Sequence, residues 1–466
     1  MSESSIREAV RLLELQKRAH IRDGAPDARL RRDRLARLGG VLKTHADRFA
    51  AAISSDFGHR SRVETTLLEV GVTLSSIRHT RARLSGWMAP SRRDVEPTFW
   101  PGSAYVRREP LGVVGVLSPW NYPLQLVFSP LVDIFAAGNR ALIKPSEHTP
   151  AFSALLAQVV REVFTEEEAG VITGGPEVAE AFSRLPFDHL LFTGSTAVGR
   201  RVAQAAAEGL VPVTLELGGK SPALLCPSAD IAKAAVSIAY GKFVNAGQTC
   251  IAPDYVIAPR GRVEDVARAV LAEAERAYPG LGEDYTSLIH DRAYDRLQAA
   301  VEEAEAAGAK VFRHASPSDR SRRVFAPTIV VGAPESCRLM QEEIFGPVLP
   351  IVAYDSLHDA VSRVRSGDHP LALYAFSQDE AELDLVLDGT QSGGVTINGT
   401  LMHIAQDTLP FGGVGASGMG AYHGRAGFDR FTHARSVFRT GFFDPSSLIS
   451  PPYGATARRL ARFLTR

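Results

Sequence analysis

Residues 110–145 read PLGVVGVLSPWNYPLQLVFSPLVDIFAAGNRALIKP, and this stretch decides the predicted fold. Its first ten residues form an apolar run that predicts a buried strand, and residues 120–123 predict a turn. An apolar stretch up to Ala137 predicts a helix, and Arg140 to Pro145 predicts a second strand. A strand, a helix and another strand in this order are typical of a parallel sheet.

The alternation continues towards the C-terminus in two successive units. The first unit adds three predicted strands and two predicted helices, at residues 170–174, 188–194, 211–219, 151–164 and 195–210. A second unit begins after Gly219, and its later strands are predicted in the segments AKVFR, TIVVGAP and LPIVAY. The predicted fold class is therefore α/β, with parallel sheets covered by helices on both faces.

The two ends of the chain differ from this alternation. Residues up to Trp87 have the three- and four-residue apolar spacing of helices. Residues 88–108 are rich in proline and surround a Pro101-Gly102 turn, which predicts an extended excursion or hairpin. Residues 446–454 mark a tail, and the basic amphipathic pattern after them predicts a short helix docked on the protein's own body.

Composition excludes several classes of partner. Lys plus Arg and Asp plus Glu both number 52, so the formal net charge is zero and we predict no nucleic-acid partner. The three cysteines, Cys226, Cys250 and Cys337, lack CxxC spacing, which argues against a disulfide framework or a metal site and favours a cytoplasmic location. The sequence has no apolar run of membrane-spanning length and no signal-peptide pattern, so we predict no membrane role.

Two loops that follow predicted strands suit a nucleotide. The segment FTGSTAVGR, residues 192–200, opens a helix whose N-terminal amides could face a phosphate. It lacks both GxGxxG and the Lys-Ser/Thr of a P-loop, so an ordinary capped helix is the alternative. The turn from Lys144 to Glu147 lies at the carboxyl end of a strand, where a lysine and a carboxylate could clamp ribose hydroxyls. A solvated loop is its alternative, but the two loops together favour a nucleotide site.

Three further segments carry reactive side chains. Cys250 lies on a predicted bend in GKFVNAGQTCIAP, although a free cysteine is more often a small buried hydrophobe. Glu216 lies between two leucines at a strand end, where burial could raise its pKa into the range of a general base. A carboxylate bonded to nearby backbone amides is the alternative for Glu216, and a plain turn residue is the alternative for the amide donor Asn121.

A thiol, a carboxylate, an amide donor and a nucleotide site suggest one reaction in particular. Attack of a thiolate on an aldehyde gives a hemithioacetal oxyanion, which needs hydrogen-bond donors. Hydride transfer to a nicotinamide then leaves a thioester, and water activated by a carboxylate releases the acid.

Seven segments occur in the order PWNYP, KPSE, FTGSTAVG, LELGGK, GQTC, EEIFGP and LPFGGVGASGMG. With these segments the chain resembles the NAD(P)-dependent aldehyde dehydrogenase superfamily over essentially its whole length. The 34-residue interval between Glu216 and Cys250 (250 − 216 = 34) also agrees with that family. The resemblance implies that Cys250 is the nucleophile and Glu216 the general base. Asn121 and the backbone amide of Cys250 would form the oxyanion hole.

The resemblance also implies which residues bind the cofactor. Lys144 and Glu147 would contact the adenosine ribose, Ser195 the pyrophosphate, Glu343 the nicotinamide ribose and Phe345 the nicotinamide ring. The complete predicted set is Trp120, Lys144, Ser146, Glu147, Gly194, Ser195, Gly199, Leu217, Glu343 and Phe345. A carboxylate at the ribose would repel a 2′-phosphate, so we predict NAD as the cofactor, with NADP as the alternative.

Residues 403–431 are similar to the class-three branch of the family and, within it, to the coniferyl aldehyde dehydrogenases. This similarity implies an aromatic or medium-chain aldehyde as substrate. The predicted substrate channel contains Tyr122, Thr249, Ile404 and Phe411. His403 and His423 are assigned no catalytic role.

The resemblance further implies an aldehyde dehydrogenase-like architecture and a homodimer. A Rossmann-like cofactor-binding domain would comprise residues 1–87 and 109–218, and an α/β catalytic domain residues 219–416. A small β oligomerisation arm would comprise residues 88–108 and 430–445, the excursion pairing with a strand near residues 432–442. Residues 446–466 would form a tail, whose short basic character departs from that of membrane-anchored relatives.

Three other functions remain as alternatives at this point. A CoA-acylating aldehyde dehydrogenase would pass the acyl group to CoA, but Glu216 argues for hydrolysis. A thiol hydrolase would need a histidine base near Cys250, and no motif supplies one. A catalytically silent binding protein of the same fold would not need Cys250, Glu216 and Asn121 together.

Overall fold

The computed structural model of the protein describes residues 2–444 and 446–465. The α-helices are, in chain order, α1 (Ser2–Asp23), α2 (Ala28–Phe57), α3 (Arg62–Thr65), α4 (Val72–Met88), α5 (Gln125–Ala137), α6 (Pro150–Val163), α7 (Pro176–Ser183), α8 (Thr196–Glu208), α9 (Ile231–Phe243), α10 (Val263–Ala277), α11 (Asp291–Ala306), α12 (Arg338–Gln341), α13 (Leu357–Ser366), α14 (Glu380–Gly389), α15 (Gly424–Arg430), α16 (Ser446–Ile449) and α17 (Ala455–Leu464). A π-helical segment, Thr66–Gly71, connects α3 to α4.

The strands belong to three sheets. They are, in chain order, β1 (Ser91–Arg93), β2 (Ser103–Pro110), β3 (Val113–Leu117), β4 (Arg140–Lys144), β5 (Ala169–Val171), β6 (His189–Thr193), β7 (Val213–Glu216), β8 (Pro222–Leu225), β9 (Tyr255–Pro259), β10 (Lys310–Arg313), β11 (Thr328–Val331), β12 (Val348–Tyr354), β13 (Ala372–Phe376), β14 (Gly394–Ile397), β15 (Gly418–Met419) and β16 (Thr432–Arg439).

The first sheet has the order β15-β7-β6-β3-β4-β5, and all of its strands except β15 run parallel. Alternate side chains of β3 enter different cores, as a strand buried on both faces requires. Val114 and Val116 pack with α2, α4, α5 and α6, whereas Val113 and Leu117 pack with α1, α7 and α8. The predicted Rossmann-like unit is confirmed, and its strand order reverses between β3 and β6.

The end of α5 explains why residues 110–145 form a strand, a helix and a strand. Gly138 adopts φ +92°, a left-handed conformation that ends the helix, and a Cβ there would lie 2.7 Å from the guanidinium carbon of Arg31. The next residue, Asn139, accepts a hydrogen bond from Gly112 N (3.0 Å) and donates one to Phe431 O (2.8 Å). Asn139 therefore joins the starts of β3 and β4 to the C-terminal part of the chain.

The second sheet has the order β10-β11-β12-β9-β8-β13-β14, with only β10 antiparallel to its neighbour. One face packs against α9 and α10 and the other against α11, α13 and α14. The predicted strands in AKVFR, TIVVGAP and LPIVAY are all present as β10, β11 and β12. A second α/β unit after Gly219 is thereby confirmed.

The third sheet is a small antiparallel arm of order β1-β2-β16. Pro110 pairs with Thr432 at one end of the arm and Ser103 with Arg439 at the other. The predicted excursion and its pairing with a strand near residues 432–442 are confirmed by this register.

Part of the C-terminal region packs with the first unit, to which the predicted domain boundaries do not assign it. Gly418 of β15 pairs with Glu216, and α15 packs on α4 and α5. Residues 417–429, which lie between the predicted catalytic domain and the predicted arm, therefore complete the first unit. The reason is that the edge strand β7 needs a hydrogen-bonding partner, and a distant segment supplies it.

The C-terminal helix differs from its prediction. Helix α17 forms, but Phe463 and Leu464 are 76% and 67% exposed, so its apolar side is not docked on the body of the chain. An amphipathic pattern predicts the helix but does not specify a surface on which it docks. Among the described residues, none of the helices is long and apolar enough to cross a membrane.

Candidate active site

The loop before Cys250 has an unusual backbone. Asn245, Ala246 and Gly247 adopt φ values of +51°, +50° and +73°, a left-handed run that one residue separates from the end of α9. Residues other than glycine avoid this region, so the surrounding structure has to hold the loop in place. A Cβ on Gly247 would collide with the carbonyl of Gly346, which explains why glycine stands at this position.

The side chain of Gln248 holds this loop in place. Its Nε2 donates to Asn245 O (3.0 Å) and Ser287 O (3.1 Å), and its Oε1 accepts from Ile289 N (2.9 Å). Every one of these partners is a backbone group, and Gln248 is completely buried. The segment GQTC is therefore a rigid support that presents Cys250 at its end.

Cys250 is a half-buried residue on the wall of a cavity. Burial of the sulfur and the nearby carboxyls of Glu343 and Glu216 raise the pKa of Cys250 to about 12. The backbone amides of Cys250 and Ile251 act in the opposite direction, since they donate hydrogen bonds to the thiolate. The resting thiol is therefore protonated at neutral pH.

Glu216 ends β7 and is 2% exposed. Within the described part of the chain neither of its carboxyl oxygens has a hydrogen-bond partner. Burial alone raises the pKa of Glu216 well above its ordinary value. A carboxylate bonded to nearby backbone amides, which the sequence leaves open, is therefore not what the structure contains.

Cys250 and Glu216 line the same cavity, which has a volume of about 210 Å³. All four predicted channel residues, Tyr122, Thr249, Ile404 and Phe411, also line it. The same wall includes Leu217, which the sequence assigns to the cofactor site, and residues that it does not assign, among them Leu126, Thr193, Tyr240, Met402 and Tyr422. The cavity is thus largely apolar, with the thiol and the carboxyl as its reactive groups.

Aromatic rings fix the shape of this cavity. Phe411 is stacked between His403 and His423, with ring centroids 6.0 and 5.4 Å away. Burial lowers the pKa of each histidine to about 4, so both are neutral at neutral pH. His403 also contacts Thr396 Oγ1 through Nδ1 (2.8 Å), an arrangement that suits a structural residue. The hydroxyls of Tyr122 and Thr249 hydrogen-bond to each other at 2.8 Å.

Asn121 is buried and lies beside the loop that precedes Cys250. Its Nδ2 donates to Gln248 O at 3.2 Å, two residues before Cys250. A primary amide carries two N–H donors, so one further donor is available at this nitrogen. The backbone carbonyl of Asn121 accepts hydrogen bonds from Arg60 Nη1 (3.2 Å) and Asn245 Nδ2 (3.0 Å).

The first sheet brings the predicted cofactor residues to one edge. Because β4, β3 and β6 are parallel neighbours in register, the segments after Lys144, Leu117 and Phe192 leave the sheet side by side. Ligands of open α/β sheets bind at such a point, where the strand order reverses. Ser195 caps α8 there by accepting from Val198 N at 3.4 Å.

Two glycines at this edge lie in close contact with neighbouring side chains. A Cβ on Gly199 would lie 2.5 Å from Leu217, and one on Gly194 would lie 2.6 Å from the ring of Phe192. Glycine at both positions therefore lets α8 approach the sheet closely, as a dinucleotide site requires.

The turn after β4 contains a partly buried ion pair. Lys144 Nζ lies 2.8 Å from Glu147 Oε2, and Ser146 Oγ accepts from His148 N at 3.2 Å. Burial opposes ionisation of Glu147, but the hydrogen bond and charge of Lys144, together with the backbone amide of Glu147, outweigh it and lower the pKa of Glu147. The predicted pair is thus formed, with a charged carboxylate at the sheet edge.

A cleft of about 1040 Å³ separates the two α/β units and is lined by both Ser195 and Glu343. Burial and the charge of Asp254 raise the pKa of Glu343 to about 8. Phe345, with φ +47°, packs edge-on against Trp120 at 5.4 Å and so joins the second unit to the end of β3. The cleft, the capped helix and the two glycines fit an extended dinucleotide. In the described residues no group of three metal-ligating side chains occurs.

Comparison with known proteins agrees with this geometry. Residues 9–437 match the aldehyde dehydrogenase family. The probable coniferyl aldehyde dehydrogenase of Caulobacter vibrioides is 47% identical over 460 residues, which cover 96% of this chain and 95% of that protein. The coniferyl aldehyde dehydrogenase of Pseudomonas sp. is 44% identical, with 97% and 95% covered. A substrate-bound structure of Staphylococcus aureus AldH superimposes with a TM-score of 0.92 at 38% identity, covering 97% of this chain and 99% of that one.

A two-unit α/β fold with a thiol and a buried carboxyl in one cavity defines the class of enzyme. The chain belongs to the aldehyde dehydrogenase family. It is an aldehyde dehydrogenase, an enzyme that oxidises aldehydes to acids. The resemblance that the seven sequence segments indicate is confirmed.

Iodoacetamide alkylation of Cys250 in the protein without added nucleotide tests the raised pKa of the thiol. Because only the thiolate reacts, we expect the rate to increase about tenfold per pH unit up to about pH 10. An ordinary cysteine would level off near about pH 9. Mass spectrometry of the labelled peptide measures the rate, and Cys250→Ser is the control. A plateau below about pH 9 would show that burial does not raise this pKa.

Proposed function

We propose that this aldehyde dehydrogenase oxidises an aromatic aldehyde of the coniferyl type, or a medium-chain aldehyde, with NAD⁺ as the preferred hydride acceptor. The observation that carries the proposal is the cavity in which Cys250 and Glu216 meet aromatic and aliphatic walls. Phe411, Tyr422 and Tyr240 supply flat apolar surface of the kind that a phenyl ring contacts. The similarity of the chain to two coniferyl aldehyde dehydrogenases supports the same substrate class.

The first chemical step falls to Cys250. The thiol first loses its proton to water, and the thiolate, favoured by the amides of Cys250 and Ile251, then attacks the aldehyde carbon and forms a carbon–sulfur bond. The carbonyl oxygen becomes an oxyanion, which would accept hydrogen bonds from the Cys250 amide and the free N–H of Asn121 Nδ2. Bound NAD(P)⁺ supplies the hydride acceptor, which converts the hemithioacetal into a thioester.

Glu216 would act in the second step, the hydrolysis of the thioester. Its carboxyl shares the cavity with Cys250, and burial gives its ionised form the basicity that removal of a proton from water needs. The water oxygen adds to the thioester carbon, the carbon–sulfur bond breaks, and the acid leaves with Cys250 restored. Transfer to CoA, the alternative, would not need this carboxylate.

The preference for NAD⁺ rests on Glu147. Its carboxylate is paired with Lys144 and its pKa is lowered, so it carries a negative charge at neutral pH. At the adenosine ribose this charge would accept a hydrogen bond from a 2′-hydroxyl and repel a 2′-phosphate.

We also propose that the protein is a cytoplasmic homodimer. The arm exposes large apolar side chains that monomeric proteins rarely leave together in solvent, among them Trp100 at 65% and Phe438 at 50% exposure. Its edge strands β1 and β16 also leave unpaired backbone groups that a second copy would satisfy.

A screen of NADH or NADPH formation over cinnamaldehyde-type, benzaldehyde-type and aliphatic aldehydes tests the substrate and the cofactor. We expect the highest kcat/KM for cinnamaldehyde-type substrates, a preference for NAD⁺ and no requirement for CoA. Glu147→Gln should increase the relative efficiency with NADP⁺ about tenfold, since it removes the repelling charge. Failure of every aromatic aldehyde, or a clear NADP⁺ preference in the wild type, would contradict the corresponding part of the proposal.

Glu216→Gln separates the two steps of the reaction. The thioester should form but hydrolyse slowly, so we expect a burst of about one NADH per subunit followed by turnover reduced by about a hundredfold or more. Rapid-mixing absorbance measures the burst, and mass spectrometry detects the acyl group on Cys250. Cys250→Ser is the control and should show no burst. Unchanged steady turnover in Glu216→Gln would exclude this carboxyl as the base.

The homodimer is tested by light scattering of the purified protein. The chain has a mass of 50.2 kDa, and we expect twice that value in solution. Replacement of Trp100 and Phe438 by serine should shift the mass towards the monomer, because it removes apolar surface from the arm. A wild-type protein that stays monomeric at micromolar concentration would refute this assignment.

A further inference from the structure

A buried ion pair between Arg60 and Glu69 takes no direct part in the proposed chemical steps. Arg60 Nη1 lies 2.9 Å from Glu69 Oε1, and both side chains are completely buried. Such a pair loses much hydration free energy on burial, and well-packed apolar residues are often at least as stable. Arg60 Nε and Nη2 also lack hydrogen-bond partners in the described structure, so the pair is poorly suited to stability alone.

Around Glu69 a charged side chain is buried and an apolar one is exposed, which is the reverse of the usual pattern. Leu67 is 62% exposed whereas Glu69, two residues later, is completely buried. Both residues lie in the π-helical segment Thr66–Gly71, and such segments are rare and occur frequently at functional sites. Thr73 Oγ1 donates to Glu69 O (2.7 Å) where this segment passes into α4. The backbone of this segment therefore directs the carboxylate of Glu69 into the interior and leaves the side chain of Leu67 exposed.

Glu69 binds the start of the helix that follows Asn121. Its Oε2 accepts hydrogen bonds from Leu124 N (2.9 Å) and Gln125 N (3.0 Å), the first amides of α5. A negative charge is favourable at the N-terminus of a helix, where backbone donors are otherwise free. The carboxylate therefore holds the C-terminal end of the turn formed by residues 121–125.

Arg60 binds the other end of the same turn. The Nη1 atom that faces Glu69 also donates to Asn121 O at 3.2 Å. Its guanidinium carbon lies 4.9 Å from the centroid of the Tyr122 ring, within the range of a cation–π contact. The two charged side chains together hold the backbone of Asn121 from both sides.

The turn at residues 121–125 is in direct contact with the loop that carries Cys250. Asn121 Nδ2 donates to Gln248 O (3.2 Å), and Asn245 Nδ2 donates to both Asn121 O (3.0 Å) and Gln248 O (3.1 Å). Glu64, from the segment that contains Arg60, accepts from Asn245 N at 3.2 Å. Charged side chains of one N-terminal segment therefore contact both the amide donor and the loop that carries Cys250.

We propose that Arg60 and Glu69 are positioning residues that fix the turn at residues 121–125, so that Asn121 Nδ2 faces the oxyanion formed on Cys250. They act through Asn121 and do not touch the substrate. The inference rests on the proposed roles of Cys250 and Asn121 in aldehyde oxidation.

Glu69→Gln tests this role, because glutamine keeps a hydrogen-bond acceptor but removes the charge that holds Arg60. We expect kcat for aldehyde oxidation to fall about tenfold to a hundredfold, with KM for NAD⁺ unchanged. Alkylation of Cys250 by iodoacetamide forms no oxyanion and should stay within about twofold of the wild type. A loss in alkylation equal to the loss in kcat would overturn the proposal.

Glu168→Gln is the matched control. Glu168 is largely buried beside Arg34 (3.1 Å) and Arg37 (2.8 Å). It lies at the end of the first sheet opposite to the edge that contains Lys144 and Ser195. Its replacement also removes one partner of a buried ion pair, so it should lower the melting temperature while kcat stays unchanged. A fall in kcat equal to that of Glu69→Gln would indicate a general loss of stability and overturn the proposal.

A double-mutant cycle with Asn121→Ala provides the decisive measurement. If the pair acts through Asn121, Glu69→Gln should not reduce kcat further once the amide is absent. The same fold loss in both backgrounds would overturn the proposal. Arg60→Lys, which keeps the cation but loses the donor geometry at Asn121 O, replaces Glu69→Gln in the cycle if the latter does not fold.

Failure of the proposed function and failure of the positioning role give different results. If the wild type and Glu168→Gln oxidise none of the aldehydes, the proposed function fails before the cycle is measured. If the wild type is active but neither Glu69→Gln nor Arg60→Lys folds, the pair supports the whole fold and the positioning role is rejected.

Discussion

The parallel arrangement of the first sheet is the constraint on which the site depends. Five parallel strands place their carboxyl ends at one edge, so the segments after β3, β4, β6 and β7 converge although they are far apart in the chain. Lys144 and Glu216 end two of these strands, and Trp120 and Ser195 lie just after the other two. The second sheet then supplies Cys250 from across the cavity.

Burial determines the chemistry of the two reactive groups. Cys250 and Glu216 both have raised pKa values because apolar side chains exclude water from their cavity. A protonated thiol protects the resting enzyme from adventitious reaction, and a carboxyl of high pKa is a stronger base once it is ionised. The same apolar walls that raise the pKa values of these groups would bind the hydrophobic part of the aldehyde. Substrate binding and the basicity of the two groups would therefore have one physical cause.

Residues with a strong local signal were predictable, and residues that act through distant contacts were not. Gly194, Ser195 and Gly199 follow an apolar strand and open a helix, and Glu216 stands alone between leucines, so neighbouring residues reveal them. Arg60, Glu69 and Tyr422 have no such signal, because their positions depend on a π-helical segment and on the return of residues 418–430 to the first unit. The helix α17 was predicted correctly, but its docking was not, since amphipathicity does not specify a partner.

The sequence by itself determined the α/β class, the two units, the arm and the identity of the candidate nucleophile and base, because these follow from apolar periodicity and from short ordered motifs. Only the tertiary structure decided that Cys250 and Glu216 share one cavity, that Glu216 has no hydrogen-bond partner among the described residues, and that Arg60 and Glu69 hold Asn121. Exclusion of water and contact between segments distant in the chain are properties of the packed molecule, and no local pattern encodes them.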